Sequence, residues 1–206
     1  MTPVTAREAP AEPQAASYLD GTLGCFLEQV SSKQPAPGGG AAAAVTVAMA
    51  AGLVGMAARF AVDHLADATD VVSCAEVLRR RVAPLAQADA DAYRDYLAAT
   101  RLPREPKPEA RRRQIRAALS RAADVPLTVA EIAADVADLA AVLAAGGNPN
   151  LRGDAVTAAL LAEAGAWSAA CLVEINVGAG DQRAVRAGNL AHAAAGAARR
   201  AMDARR

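Results

Sequence analysis

Aromatic side chains are scarce in this chain. Two Phe, three Tyr and one Trp serve 206 residues, and runs of β-branched residues are few. That composition argues against a β-sheet protein and for close-packed helices built on alanine. Neither sign of charge is in excess, with 22 basic and 22 acidic groups, so the basic footprint of a nucleic-acid binder is missing. Lysine occurs only as Lys33 and Lys107, and arginine supplies the remaining cations. Histidine occurs only as His64 and His192. The three cysteines, Cys25, Cys74 and Cys171, are odd in number, far apart and without a Cys-x-x-Cys, so no metal site and no disulfide framework is expected. Each cysteine falls in a helical apolar pattern, which predicts buried thiols in a reducing, cytoplasmic compartment. Residues 1–16 have no continuous apolar segment. They read as a disordered Pro/Ala/Glu leader rather than a signal peptide, ahead of one domain over 17–206.

What the chain does have is alanine, and one unusual punctuation mark. Ser31-Ser32-Lys33-Gln34-Pro35-Ala36-Pro37 leads into Gly38-Gly39-Gly40, and an uncharged small-residue run follows to Ala58. Three successive glycines cost backbone entropy, so they belong where φ is positive or where something approaches closely. A glycine turn opening onto a helix N-terminus also presents free N–H groups to a polar or anionic ligand. The pattern is neither a P-loop nor a dinucleotide fingerprint. The uncharged run has the length of a membrane span. It is mostly Ala and Gly, and no second comparable span stands out, so a helix buried on nearly all sides explains it better and no membrane is expected.

Helical periodicity then divides the chain. Tyr18 to Val30 carries an apolar stripe. A second helix is predicted from near Gly40 toward Leu65, with small residues at Ala44, Ala48, Ala51, Gly52 and Gly55. Asp70 to Arg101 reads as a long amphipathic helix that Pro84 kinks or divides, and Leu102 to Pro108 as a loop. Glu109 to Ala122 is charged and helical. Asp124 is a plausible cap for a helix ending at Gly146-Gly147. Asp154 can cap the next helix, after the polar turn Asn148-Pro149-Asn150, and a final Arg/Ala helix follows Gly178-Ala179-Gly180. The fold class is all-α, an antiparallel bundle of long helices. Its small-residue face at 44 to 55 and its shortage of aromatics suggest that burial continues across a second copy, giving a homodimer.

Four segments in this order carry a likeness: Pro35-Ala36-Pro37-Gly38-Gly39-Gly40 with its small-residue helix; Gly147-Asn148-Pro149-Asn150-Leu151; Asp154-Ala155-Val156-Thr157-Ala158-Ala159-Leu160-Leu161; and Val173-Glu174-Ile175-Asn176-Val177. Together they resemble the cyclodeaminase/cyclohydrolase family, namely the C-terminal domain of formiminotransferase-cyclodeaminase and the stand-alone methenyltetrahydrofolate cyclohydrolases. The resemblance covers residues 17 to 180. It implies an all-helical, dimer-forming enzyme of tetrahydrofolate one-carbon chemistry, with a folate derivative as substrate and no further cofactor. It also implies site residues. Asp154 is the acid/base or pterin-anchoring candidate. Pro37, Gly38, Gly39 and Gly40 form a bare-backbone wall. Asn148, Asn150 and Asn176 are hydrogen-bonding candidates.

Three departures from the family pattern stand out. Ala41 replaces the usual serine after the triple glycine. Arg59-Phe60-Ala61-Val62-Asp63-His64 stands where an Asn-Leu-Thr segment and a lysine cluster are usual. Glu174 replaces an arginine. In that altered stretch His64 is a catalytic candidate, oriented by Asp67 three residues on, and Arg59 could restore positive charge toward a glutamate tail. The same departures keep open an alternative, a catalytically degenerate helical dimer that binds folate or a protein. Other residues have simpler readings. Asp89 and Asp91, ahead of Tyr93, read as a solvated helix face, Arg111-Arg112-Arg113 as solvated surface, and Trp167 as core or dimer contact.

Overall fold

The structure is a computed structural model that describes residues 17–103 and 108–204. The expected leader, residues 1–16, lies outside these, as does most of the expected Leu102–Pro108 loop. Eight helices follow one another: α1 (Leu23–Ser31), α2 (Gly39–Arg59), α3 (Ala68–Val82), α4 (Leu85–Thr100), α5 (Pro108–Ala122), α6 (Asp124–Gly146), α7 (Arg152–Val177) and α8 (Gln182–Asp203). Single 3₁₀ turns at Tyr18–Asp20 and Pro149–Leu151 complete the described residues, which include no strand.

Alanine sets the geometry. The buried faces of α2, α6, α7 and α8 are almost entirely Ala, and the largest fully buried side chains are Ile132 and a handful of valines. Small side chains let helix axes approach closely, and α7 uses this against α2, α6 and α8. At the α2–α7 crossing, a Cβ on Gly165 would run into Val47 Cγ2. Glycine there sets how closely the two helices approach. Two helices, α2 and the Pro149–Val177 segment, are long and apolar enough to cross a membrane by length and composition, with 56% and 44% of their most apolar windows buried. The second corrects the expectation of a single such stretch; much of its hydropathy comes from buried alanine.

Several local expectations change for physical reasons. The second helix stops at Arg59, and a run of turns fills 60–67, so His64 and Asp67 do not share a helix face. Pro84 separates α3 from α4, because it has no N–H for the i−4 carbonyl and its ring crowds that position. Asp124 is not a cap: Ala123 holds that position, and the Asp124 carboxylate accepts from Arg183 Nη1 at 2.9 Å. Asp154 is not a cap either. Leu151 is the N-cap residue of α7, and Asp154 lies in the first turn, where its charge faces the positive end of the dipole. All three cysteines are exposed rather than buried, because each lies beside its helix's apolar stripe, not within it.

Candidate functional site

The glycine turn and the helices α4, α5 and α7 enclose a cavity of about 490 Å³, within the range of small-molecule sites. Its wall is made by Pro35, Ala36 and Gly38–Gly40 from the turn, Asp89, Tyr93 and Tyr96 from α4, Leu119 and Ala122 from α5, and Leu172, Ile175 and Asn176 from α7. None of the three glycines has a positive φ; among the described residues only Gly178 does. Close approach is therefore what they provide. A Cβ on Gly40 would collide with the Asp89 carboxylate, whereas a Cβ on Gly39 would meet nothing within 4 Å. Pro37 is buried behind this wall.

Asp89 is the residue that sequence reasoning undervalued. Gly38, the N-cap residue of α2, has no side chain with which to cap it. The Ala41 backbone N–H donates instead to Asp89, which reaches across from α4. The helix N-terminus expected to receive a ligand anion thus receives the chain's own carboxylate. Burial pushes the Asp89 pKa above the usual aspartate value, and the Ala41 N–H only partly opposes that shift. A signal for this was present in the sequence. Asp89 lies three residues after the buried Ala86 and four before Tyr93, on one helix face.

Asn176 enters the same cavity. Its Nδ2 donates to the Ala122 carbonyl at 3.2 Å, leaving its side-chain oxygen for a ligand. Arg183 fixes the same junction between α5 and α6, donating to the Ser120 carbonyl at 2.7 Å and to Asp124. The α5 wall is thereby tied to α7 and α8.

The remaining candidates lie elsewhere. Gly39 and Arg59 are the two ends of α2, about 30 Å apart at 1.5 Å per residue. α7 runs antiparallel to α2: Leu172 lies with Gly39, Gly165 with Val47, and Asn148 just before α7 with Phe60. Arg59, His64, Asn148, Asn150 and Asp154 therefore gather at the end remote from the cavity. Asn148, Asn150 and Arg59 make local contacts there. Asn148 Nδ2 donates to the Phe60 carbonyl at 3.1 Å, and its Oδ1 accepts from the Asn150 N–H. Arg59 pairs with Glu76 at 2.8 Å, and with Arg79 holds that carboxyl well below the usual range. His64 is exposed. Among the described residues, no group of three or more His, Cys, Asp or Glu side chains is arranged to hold a metal ion.

An all-helical body with a glycine-walled cavity and one carboxyl inside it defines a helical small-molecule protein. More specifically, the chain belongs to the formiminotransferase-cyclodeaminase family, whose sequence model matches residues 22–195. It is 38% identical over 171 residues to a methenyltetrahydrofolate cyclohydrolase of Methylorubrum extorquens, covering 79% of this chain and 82% of that one. It is 34% identical over 170 residues to the formimidoyltransferase-cyclodeaminase of Sus scrofa, of which it spans only 31%. The fold matches the crystal structure of a formiminotetrahydrofolate cyclodeaminase from Thermotoga maritima with a TM-score of 0.77 and 27% identity, over 87% of this chain and 93% of that one.

Proposed function

We propose that this protein is a tetrahydrofolate one-carbon enzyme of the cyclodeaminase/cyclohydrolase type, working in the cavity between the glycine turn and α4. The observation that carries the reading is Asp89: one ionisable carboxyl, raised in pKa, against a wall of bare backbone. Both family reactions need such a group. In cyclohydrolysis, water adds to the cationic methenyl carbon, the ionised carboxylate takes the water's proton, and one C–N bond then opens to leave a formyl group. In cyclodeamination, N10 attacks the formimino carbon and the protonated carboxyl gives its proton to the departing amine, releasing ammonia. A carboxyl whose pKa is raised by partial burial is suited to proton transfer in either step. Gly38–Gly40 would let a flat heterocycle lie on backbone, Asn176 would accept from a ring amide, and Tyr93 and Tyr96 offer aromatic faces. The relatives matched, a cyclohydrolase and a cyclodeaminase, favour an enzyme over the degenerate alternative.

We further propose a homodimer formed through the α2/α7 face. Ala42 and Thr46 with Ala164, Ser168 and Cys171 line an apolar groove there, and Met49, Leu160, Trp167 and Ile175 continue it in the open. Light scattering should return about twice the 20.9 kDa chain mass; a value equal to one chain would refute this. We place the protein in the cytoplasm and assign it no cofactor beyond the folate itself. The reaction is read from ultraviolet absorbance. The methenyl band disappears on hydrolysis and appears when formiminotetrahydrofolate is cyclised. No change with either substrate would sink the enzyme reading.

A further inference from the structure

The wall that α5 gives the cavity has little apolar anchorage. Ala118 is its one buried residue among the described residues, and the helix packs mainly on α4, itself a cavity wall. Polar contacts hold its C-terminal end instead. There α5 runs into α6 through the single residue Ala123. Pro126, four residues after Ala122, has no N–H to give the Ala122 carbonyl. Asn176 Nδ2 donates to that carbonyl in its place, at 3.2 Å. With Nδ2 so committed, the acceptor Oδ1 is the atom that the amide leaves for the cavity.

Arg183 locks the same corner from α8. Its Nη1 donates to the Ser120 carbonyl at 2.7 Å and to Asp124 Oδ1 at 2.9 Å. Its Nη2 donates to Ser120 Oγ and to Asp181 Oδ2, and its Nε to Asp181 Oδ1, each at 3.1 Å. All five N–H groups of the guanidinium are thus engaged, and its planar fork fixes the directions of its partners. Those partners are the end of α5, the start of α6 and the N-cap residue of α8. Without this clamp the corner can shift and release the Asn176 amide. A turned amide would present a donor where the ligand needs an acceptor.

We propose that Arg183 is a positioning residue of the site. By clamping the α5–α6 corner it keeps the Ala122 carbonyl where it fixes the Asn176 amide, with the acceptor oxygen toward the ligand. Arg183 does not line the cavity, so it acts through Asn176. The identity of the ligand rests on the folate reading above. The test has two arms. In the ligand-free protein, nuclear magnetic resonance follows the Asn176 side-chain amide, its signal assigned by its loss in Asn176→Ala. Arg183→Gln should shift that signal and speed its exchange with solvent. Arg200→Gln, which breaks the Arg200–Asp138 pair near the other end of α8, should leave it unchanged. The second arm measures tetrahydrofolate binding by calorimetry, beside the absorbance assay. Arg183→Gln should raise Kd and KM about fivefold, the scale of one misplaced hydrogen bond, with kcat within about twofold. In an Asn176→Ala background the same substitution should add less than about twofold. Arg183→Lys keeps the charge but not the fork. It serves if the Gln variant does not fold, and it should raise Kd by about twofold. An amide signal that ignores Arg183, an equal response to Arg200→Gln, or binding losses that add in the double variant would overturn the positioning role. If the wild type binds no tetrahydrofolate but the amide signal responds as expected, the folate reading falls and the positioning of Asn176 stands. Tetrahydrofolate bound and the signal unmoved would do the reverse.

Discussion

The two ends of the α2–α7 pair use polar residues in opposite ways. At the remote end, Asn148 bonds the Phe60 carbonyl and the Asn150 N–H, and Arg59 bonds Glu76. These side chains satisfy their neighbours. At the cavity end, Asp89 accepts one backbone N–H and is otherwise held in a poorly solvated place that raises its pKa. A polar group satisfied by its surroundings stabilises the fold. One kept partly unsatisfied beside a cavity is available for a ligand or a proton. Family resemblance pointed to both ends alike, and only the geometry separates them.

The largest effect should come from Asp89→Asn. Asparagine can still accept from the Ala41 N–H but cannot exchange a proton, so kcat should fall roughly 10²-fold or more, as for loss of a positioned acid or base. Stability should move the other way. The folded pKa of Asp89 lies above the unfolded value, so its ionisation opposes folding, and stability falls as pH rises between the two values. At neutral pH the variant should melt no lower than wild type and a few degrees higher, by calorimetry. A fall in both activity and melting temperature would mean that Asp89 only caps α2.

Next in size is Gly40→Val. Its side chain meets the Asp89 carboxylate, and such overpacking costs about 1–3 kcal/mol. Activity should drop by about tenfold or more, with a lower denaturation midpoint. Gly39→Ala, by contrast, opens into free space and should fold as wild type does. Matching behaviour of the two would erase the distinction between packing and wall glycines.

Asn148→Ala should lose about 0.5–1 kcal/mol of stability from two lost hydrogen bonds, since water can reach the Phe60 carbonyl and the Asn150 N–H. Turnover per folded molecule should be unchanged, as measured by urea denaturation beside the absorbance assay. The smallest effect is expected from Asp154→Asn, within about threefold in turnover. Asp154 is neither the cap residue of its helix nor near the cavity of its own chain. A 10²-fold loss, the scale of a positioned acid or base, would break the comparison and require that the remote end of a second copy reach the reaction.

Much of the fold was readable beforehand because helical periodicity is local. The division at Pro84, the stop at Gly146-Gly147 and the start after Gly38 each follow from one or two residues. The errors were also local in origin. Asp124 and Asp154 looked like caps because cap preference is a property of residue type, whereas the real cap positions depend on where the preceding chain turns. The thiols looked buried because a period of 3.6 places a residue near a stripe without saying on which side of its edge it falls. Asp89 looked solvated because Asp91 follows two residues on, although Ala86, three residues before it, marked its face as inward.

The sequence alone determined an all-helical chain, its close packing through alanine, and a glycine turn where backbone must come near another group. Those follow from side-chain size and from hydrogen bonds between near neighbours. Which carboxyl meets that turn was decided only in three dimensions, because Asp89 and Ala41 are brought together by the packing of α4 on α2. The same packing divided the candidate residues between two ends of a 30 Å helix pair, since antiparallel helices bring the start of one beside the end of the other.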